Sequence, residues 1–302
     1  MVVEAAAGGG ALASAVLGAE PVCSSALRYV GVERATAGRA AFSERLPVEV
    51  PAFVLGPGAP RAKGDDEPAE PIAGRGPLVT VLAELPAQPF LGMVIANELL
   101  DNLPFDLLEW GDGTWREVRV GEERGAPAEI LVPAADALVG EAERLVPAPV
   151  DGSRVPLQHG ATQWLAAALP LVRRGRVICF DYATPTTADL AARRQHEWLR
   201  TYRGQGRGGS PLDAPGSQDV TCEVAVDQLA RVRAPDLDRS QADWLPVHGV
   251  GDLVAAARAT WRAAAARPDL TALVARSRLA EAAALAEPSG LGAFRVLEWD
   301  CD

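Results

Sequence analysis

Twice within its first fifty residues the chain passes from a short β-prone run ending on a glutamate, through small residues, into a helix-compatible segment. Val2-Val3-Glu4 leads through Ala5-Ala6-Ala7-Gly8-Gly9-Gly10 to residues 11–17, and residues 27–33, ending on Glu33, lead to residues 35–46. This reads as strand, tight turn, helix, repeated. Strands alternating with helices specify an α/β fold, because parallel neighbours are reached only through a crossover, and the crossover is right-handed. Residues 48–55 are expected as a third strand.

Further along, Phe90-Leu91-Gly92-Met93-Val94-Ile95-Ala96 is the best candidate for a fully buried central strand, residues 176–182 for another that ends on Asp181, and residues 294–299 for a closing one. Residues 163–172 and most of 251–286 follow a helical pattern. Two β-prone runs, 105–110 and 115–120, flank Gly111-Asp112-Gly113, which is a hairpin signal. The hairpin breaks the βα rhythm, so 105–150 is expected as an insertion. Residues 56–77 are rich in Pro, Gly and acid and are expected to form a flexible surface loop. Together, the 302 residues are expected to build a single Rossmann-like domain with a mostly parallel sheet and helices on both faces.

Several classes of function fall away on composition. The 40 acidic side chains outnumber 29 basic ones, for a net charge of -11, a field that opposes a nucleic-acid partner. No apolar run is long enough to span a bilayer. Cys23, Cys179, Cys222 and Cys301 include no C-x-x-C pair, and His159, His196 and His248 stand near none of them. Reduced thiols in a cytoplasmic protein, with no metal, are therefore expected.

In an open α/β sheet the ligand sits at the carboxyl ends of the strands, where strand order reverses. The loop from Glu4 to Gly10 lets a ligand approach the backbone, and the helix after it offers free amides. Glu33 lies at the distance, roughly 20 to 30 residues on, where a carboxylate accepts ribose hydroxyls. A plain strand-to-helix turn is the alternative. In Asn97-Glu98-Leu99-Leu100-Asp101-Asn102-Leu103-Pro104, Glu98 and Asp101 are three apart, which on a helical turn puts both carboxylates on one face. The alternative there is a helix cap. A nicotinamide-dependent oxidoreductase is a weaker match, since Lys63, the one lysine, falls in the expected loop.

These segments resemble the MidA-type methyltransferases, a family that includes a mitochondrial arginine methyltransferase assisting respiratory complex I assembly. Residues 2–12 are similar to its cofactor motif, residues 96–104 to its N-E-x-x-D-x-x-P signature, and Leu199-Arg200-Thr201-Tyr202-Arg203 with residues 211–221 to its T-L-x-x-Y... P-G-x-Q-D-[IV]-T segment. The resemblance implies S-adenosylmethionine as cofactor and, by analogy, a protein arginine as acceptor. It implies that Glu4, Ala6, Gly8 and Gly10 shape the methionine pocket and Glu33 holds the ribose. Asn97, Glu98 and Asp101 would line the place where donor and acceptor meet, and Gln218 and Asp219 the acceptor side. For Gln218-Asp219 a turn after Pro215-Gly216 is the alternative. Ala6 replaces the first glycine of the motif, and its methyl is expected to crowd the loop if φ is positive there. Family members carry a further N-terminal region, so truncation is expected, or a weakly active member acting as an assembly or interaction protein.

Overall fold

The computed structural model describes residues 1–56, 76–204 and 206–302. The expected loop at 56–77 lies outside the described residues except at its ends.

The central sheet has seven strands: β1 (Val2–Ala5), β2 (Arg28–Val32), β3 (Leu78–Leu82), β4 (Phe90–Asn97), β9 (Val172–Asp181), β15 (Leu237–Ser240) and β16 (Arg295–Cys301). Their order across the sheet is β15-β16-β9-β4-β1-β2-β3. The first five run parallel, while β16 lies antiparallel between β9 and β15. Chain order moves outward from β1 through β2 to β3, then restarts at β4 on the other side. The reversal therefore falls between β1 and β4. The expected third strand at 48–55 is instead the short helix α3 (Pro51–Leu55). Pro51 has its φ preset for a first helical turn and no N–H to give a ladder, so the third strand is β3.

Alternation of side chains along the strands makes two apolar layers. Val3, Val30, Val94, Val177, Leu297 and Trp299 point to one face, where Ala161 and Leu165 of α5 (His159–Ala168) and Leu229 of α8 (Val226–Ala230) cover them. Tyr29 and Val79 point to the other, against Ala13 of α1 (Ala11–Gly18) and Phe42 of α2 (Thr36–Arg45). The Phe42 ring lies directly beneath two glycines: a Cβ on Gly10 would stand 2.8 Å from it and one on Gly31 2.6 Å.

The hairpin forms as expected: β5 (Asp106–Gly111) pairs with β6 (Thr114–Glu123) so that Gly111 faces Thr114. Asp112 and Gly113 turn with φ of 54° and 76°, the left-handed pair that a two-residue hairpin requires. Trp110 meets Trp115 edge to face at 5.4 Å. The four-stranded sheet takes in β7 (Ala126–Pro133) and also β8 (Arg154–Leu157), past residue 150. Helix α4 (Asp136–Leu145) lies against it.

Buried amides fasten this sheet to the rest. The Gln228 Oε1 accepts the Gln158 N–H (2.7 Å), its Nε2 donates to the Pro156 carbonyl (2.8 Å), and Gln158 Oε1 accepts the Ala225 N–H (2.8 Å). His159 donates or accepts between Asp106 (2.9 Å) and Glu141 (3.0 Å). A small antiparallel sheet of β11 (Leu199–Arg203), β12 (Gly206–Arg207) and β13 (Asp219–Cys222) packs through β13 on the turn Leu100–Asn102. The Ala-rich segment forms α10 (Val250–Ala264) and α11 (Leu270–Leu285).

Candidate active site

At the carboxyl end of β1, Ala6 and Gly8 have φ of 59° and 50°. The loop does need left-handed backbone at Ala6, where the sequence puts a methyl group. Nothing lies within 4 Å of where a Cβ on Gly8 would stand, so the space over the loop is open to a ligand. Gly10, at φ 74°, precedes the first turn of α1. Glu4 points inward: it is buried, accepts the Tyr29 hydroxyl (2.8 Å) and is bonded to the Ala13 amide in the first turn of α1. Burial raises its carboxyl above the usual range. Glu4 thus braces the loop from below.

Glu33 follows β2, with one oxygen on the Gly8 amide (3.0 Å) and the other on the Ala35 amide (2.7 Å). Each carboxylate oxygen keeps a second lone pair. An open glycine loop with a carboxylate tied to its Gly8 amide fits a nucleoside carrying vicinal hydroxyls.

Across the switch point, Glu98 has φ of 50°. Two non-glycine residues in left-handed backbone, Ala6 and Glu98, thus follow the strands β1 and β4 that flank the reversal, a pattern of strain found at functional sites. The geometry of 98–101 differs from the expected helical face. Leu100–Asn102 form a 3-10 turn; Glu98 is exposed while Asp101 is 2% exposed. The cause is Asp181 at the end of β9, whose Oδ2 accepts the amides of Leu100 (2.8 Å) and Asp101 (3.3 Å). Burial, then the charge of Glu98, pushes the Asp101 carboxyl up to about 6. Asn97 is exposed and reaches Glu98 Oε1 at 3.5 Å.

Sequence reasoning passed over the wall beside this pair. Tyr182 packs on Phe294 with ring centroids 4.0 Å apart, and the Arg200 guanidinium lies 5.6 Å from its ring centre. Burial, then the charges of Glu98 and Tyr202, raises the Tyr182 hydroxyl. The one local signal for Tyr182 is its place next to the strand-terminal acid Asp181. Asp219 opens β13, the strand that packs on the turn Leu100–Asn102, and Gln218 precedes it. The Gln218 Nε2 donates to the Ser210 carbonyl (2.6 Å), closing its own loop, and Asp219 is exposed opposite Tyr202.

A groove of about 790 Å³ runs along the α1 face of β4 and β9, lined by Leu12, Met93, Ile95, Ile178, Phe180 and Trp244. Of Asn97, Glu98 and Asp101, only Asn97 lines it. The four cysteines are unpaired. Among the described residues no cluster of His, Cys, Asp or Glu is placed to hold a metal, and no helix is long and apolar enough to cross a membrane.

Five parallel strands reversing between β1 and β4, with an antiparallel β16 set inside the edge, define a Rossmann-like class I methyltransferase fold. Residues 1–240 match a family described as "Putative S-adenosyl-L-methionine-dependent methyltransferase". The chain belongs to that family of S-adenosylmethionine-dependent methyltransferases. Two solved structures from Burkholderia thailandensis share the fold. One, an uncharacterised protein, is 24% identical with a TM-score of 0.72, over 99% of this chain and 73% of that one. The other, of the same superfamily and described as a "likely methyl transferase" bound to S-adenosyl-homocysteine, is 23% identical with a TM-score of 0.73, over 99% and 70%. No curated protein matches the chain.

Proposed function

We propose that this protein is a MidA-type enzyme of the cytoplasm that methylates a nitrogen of a protein arginine, with the cofactor ribose on Glu33 and the acceptor at Glu98 and Asp101. The observation that carries this reading is the unequal carboxyl pair at the switch point, one exposed and one buried behind it. A guanidinium is cationic and planar, so a carboxylate orients it strongly, and a second can receive the proton that leaves as nitrogen takes the methyl group. S-adenosylmethionine supplies a methyl on a sulfonium, whose carbon–sulfur electron pair goes to sulfur as the nitrogen–carbon bond forms. The chain's own contribution is mainly positioning. Asn97 fixes the near edge of the site, Gln218 and Asp219 the far one, and Tyr182 with Arg200 forms a wall.

Calorimetric titration with S-adenosylmethionine and S-adenosylhomocysteine, followed by methyl-labelled donor on peptide arrays in which each arginine is alternately replaced by lysine, tests this. Binding in the micromolar range, about -8 kcal/mol, and label confined to arginine peptides and lost in Glu98→Gln are the expected results. A folded protein that binds neither ligand refutes the enzyme reading. That outcome would favour the second reading, a non-catalytic assembly protein, for which the strained Ala6 in the cofactor loop speaks.

A further inference from the structure

The Asp181 side chain, which anchors the turn after β4, is 1% exposed. Its Oδ2 takes the amides of Leu100 and Asp101, and its Oδ1 takes the Tyr182 amide (2.9 Å). The Asp101 carboxyl, also buried, accepts Asn102 Nδ2 (2.7 Å) through Oδ1 and is hydrogen-bonded to the Asp181 side chain. No ion pair reaches either group among the described residues. The other titratable groups that act on them are Glu98 from the turn after β4, Cys179 on β9, Tyr182 beyond it and Cys222 on β13, none of them cationic. Two carboxyls in contact, dry and without a counter-cation, do not both ionise near neutral pH, and a proton between them removes the repulsion.

We propose that Asp101 and Asp181 hold one proton in common at neutral pH, and that Asp181 is the positioning residue that presents Asp101 as the proton acceptor of methyl transfer. The bonds to three amides fix Asp181, and through the Asp101 amide they fix the turn that carries Asp101. With one proton shared, the pair keeps a single negative charge facing Glu98. During transfer the acceptor N–H breaks, its electron pair stays on nitrogen, and the proton goes to the Asp101 carboxylate. The dyad then holds two protons and is neutral until one passes to solvent. Burial raises both groups, the charge of Glu98 adding to it at Asp101 and the charge of Asp101 at Asp181, while the hydrogen bond from Asp181 works the other way on Asp101 by favouring its charged form; the pair titrates as a unit.

The catalytic role rests on the acceptor reading above, but the shared proton does not, and it can be measured without an acceptor. Infrared spectra of protein labelled with 13C-aspartate, between pH 5 and 8, report the carbonyl stretch of protonated aspartate while leaving Glu4 silent. The expected result is a protonated-aspartate band at pH 7 in the wild type that is absent at pH 7 in both Asp101→Asn and Asp181→Asn. Absence of the band in the wild type overturns the proposal without any variant. A band that persists at pH 7 in either variant, at full or reduced intensity, overturns it too, since a lone buried carboxyl would then explain it. Failure of cofactor binding would instead sink the enzyme reading and leave the band in place.

Discussion

Ala6→Gly should make this protein more stable, which is the reverse of what alanine-to-glycine changes usually do. Ala6 is held at φ 59°, and left-handed backbone costs an L-residue with a Cβ roughly 1–2 kcal/mol. Glycine removes that cost but has more freedom to lose from the unfolded chain, about 0.4–1 kcal/mol. The Ala6 side chain is exposed, so deleting its methyl leaves no cavity. The balance is a gain of about 0.5–1 kcal/mol, or roughly 1–3 °C in Tm for a chain of this size. Urea and thermal unfolding of the variant beside Ala259→Gly would measure it. Ala259 is exposed within α10, and its replacement should cost about 1 kcal/mol. If the two variants lose stability alike, Ala6 does not hold the positive φ in solution and the strain argument fails. A gain in stability together with tighter S-adenosylhomocysteine binding would mean that the methyl also crowds the ligand.

Glu33→Ala should weaken S-adenosylhomocysteine by about 10- to 100-fold, the worth of one charge-assisted hydrogen bond or somewhat more, read by calorimetry. Asp101 has its folded pKa raised to about 6, above the ordinary aspartate value of about 4, so the native state binds more protons than the unfolded one between those limits. Stability therefore falls as pH rises from about 4 to about 6, and the difference in denaturation midpoint between wild type and Asp101→Asn should move against the wild type across that window. At His159, burial lowers the pKa but the hydrogen bonds of Glu141 and Asp106 outweigh it, leaving it raised. That stabilisation is full below the unfolded pKa and fades as pH rises through the folded one, so His159→Gln should cost more stability at pH 5.5 than at pH 9. Gln228→Leu leaves the Gln158 N–H and the Pro156 carbonyl without these buried partners and should destabilise by about 2–4 kcal/mol in urea.

Much of the fold was legible because the strands are short, apolar and separated by helices of suitable period. The central strand at 90–96, the turn at Asp112-Gly113 and the Ala-rich helices all form near their expected places. The misplaced third strand shows the limit of pattern: Phe53, Val54 and Leu55 look β-prone, but Pro51 starts a helical turn. Among site residues, Ala6 behaved as its position in the motif implied, since a glycine-rich turn advertises positive φ. The separation of Glu98 from Asp101 was not legible. It depends on Asp181, eighty residues on from Asp101 and brought under the turn only by the pairing of β4 with β9. Tyr182 and Arg200 were missed for the same reason, as their neighbours come from distant segments.

The position of β16 has a consequence for biosynthesis. The strand fills the slot between β9 and β15, so once residues 172–181 have been made, one edge of β9 has no partner until residues 295–301 follow. At about 5–20 residues per second, that gap of roughly a hundred residues lasts about 5 to 20 seconds on the ribosome. Throughout it Val177 and Cys179 belong to an open strand edge, the kind of surface that invites pairing with another nascent chain, so the yield of this protein in a cell should be unusually sensitive to the supply of chaperones that bind extended apolar segments.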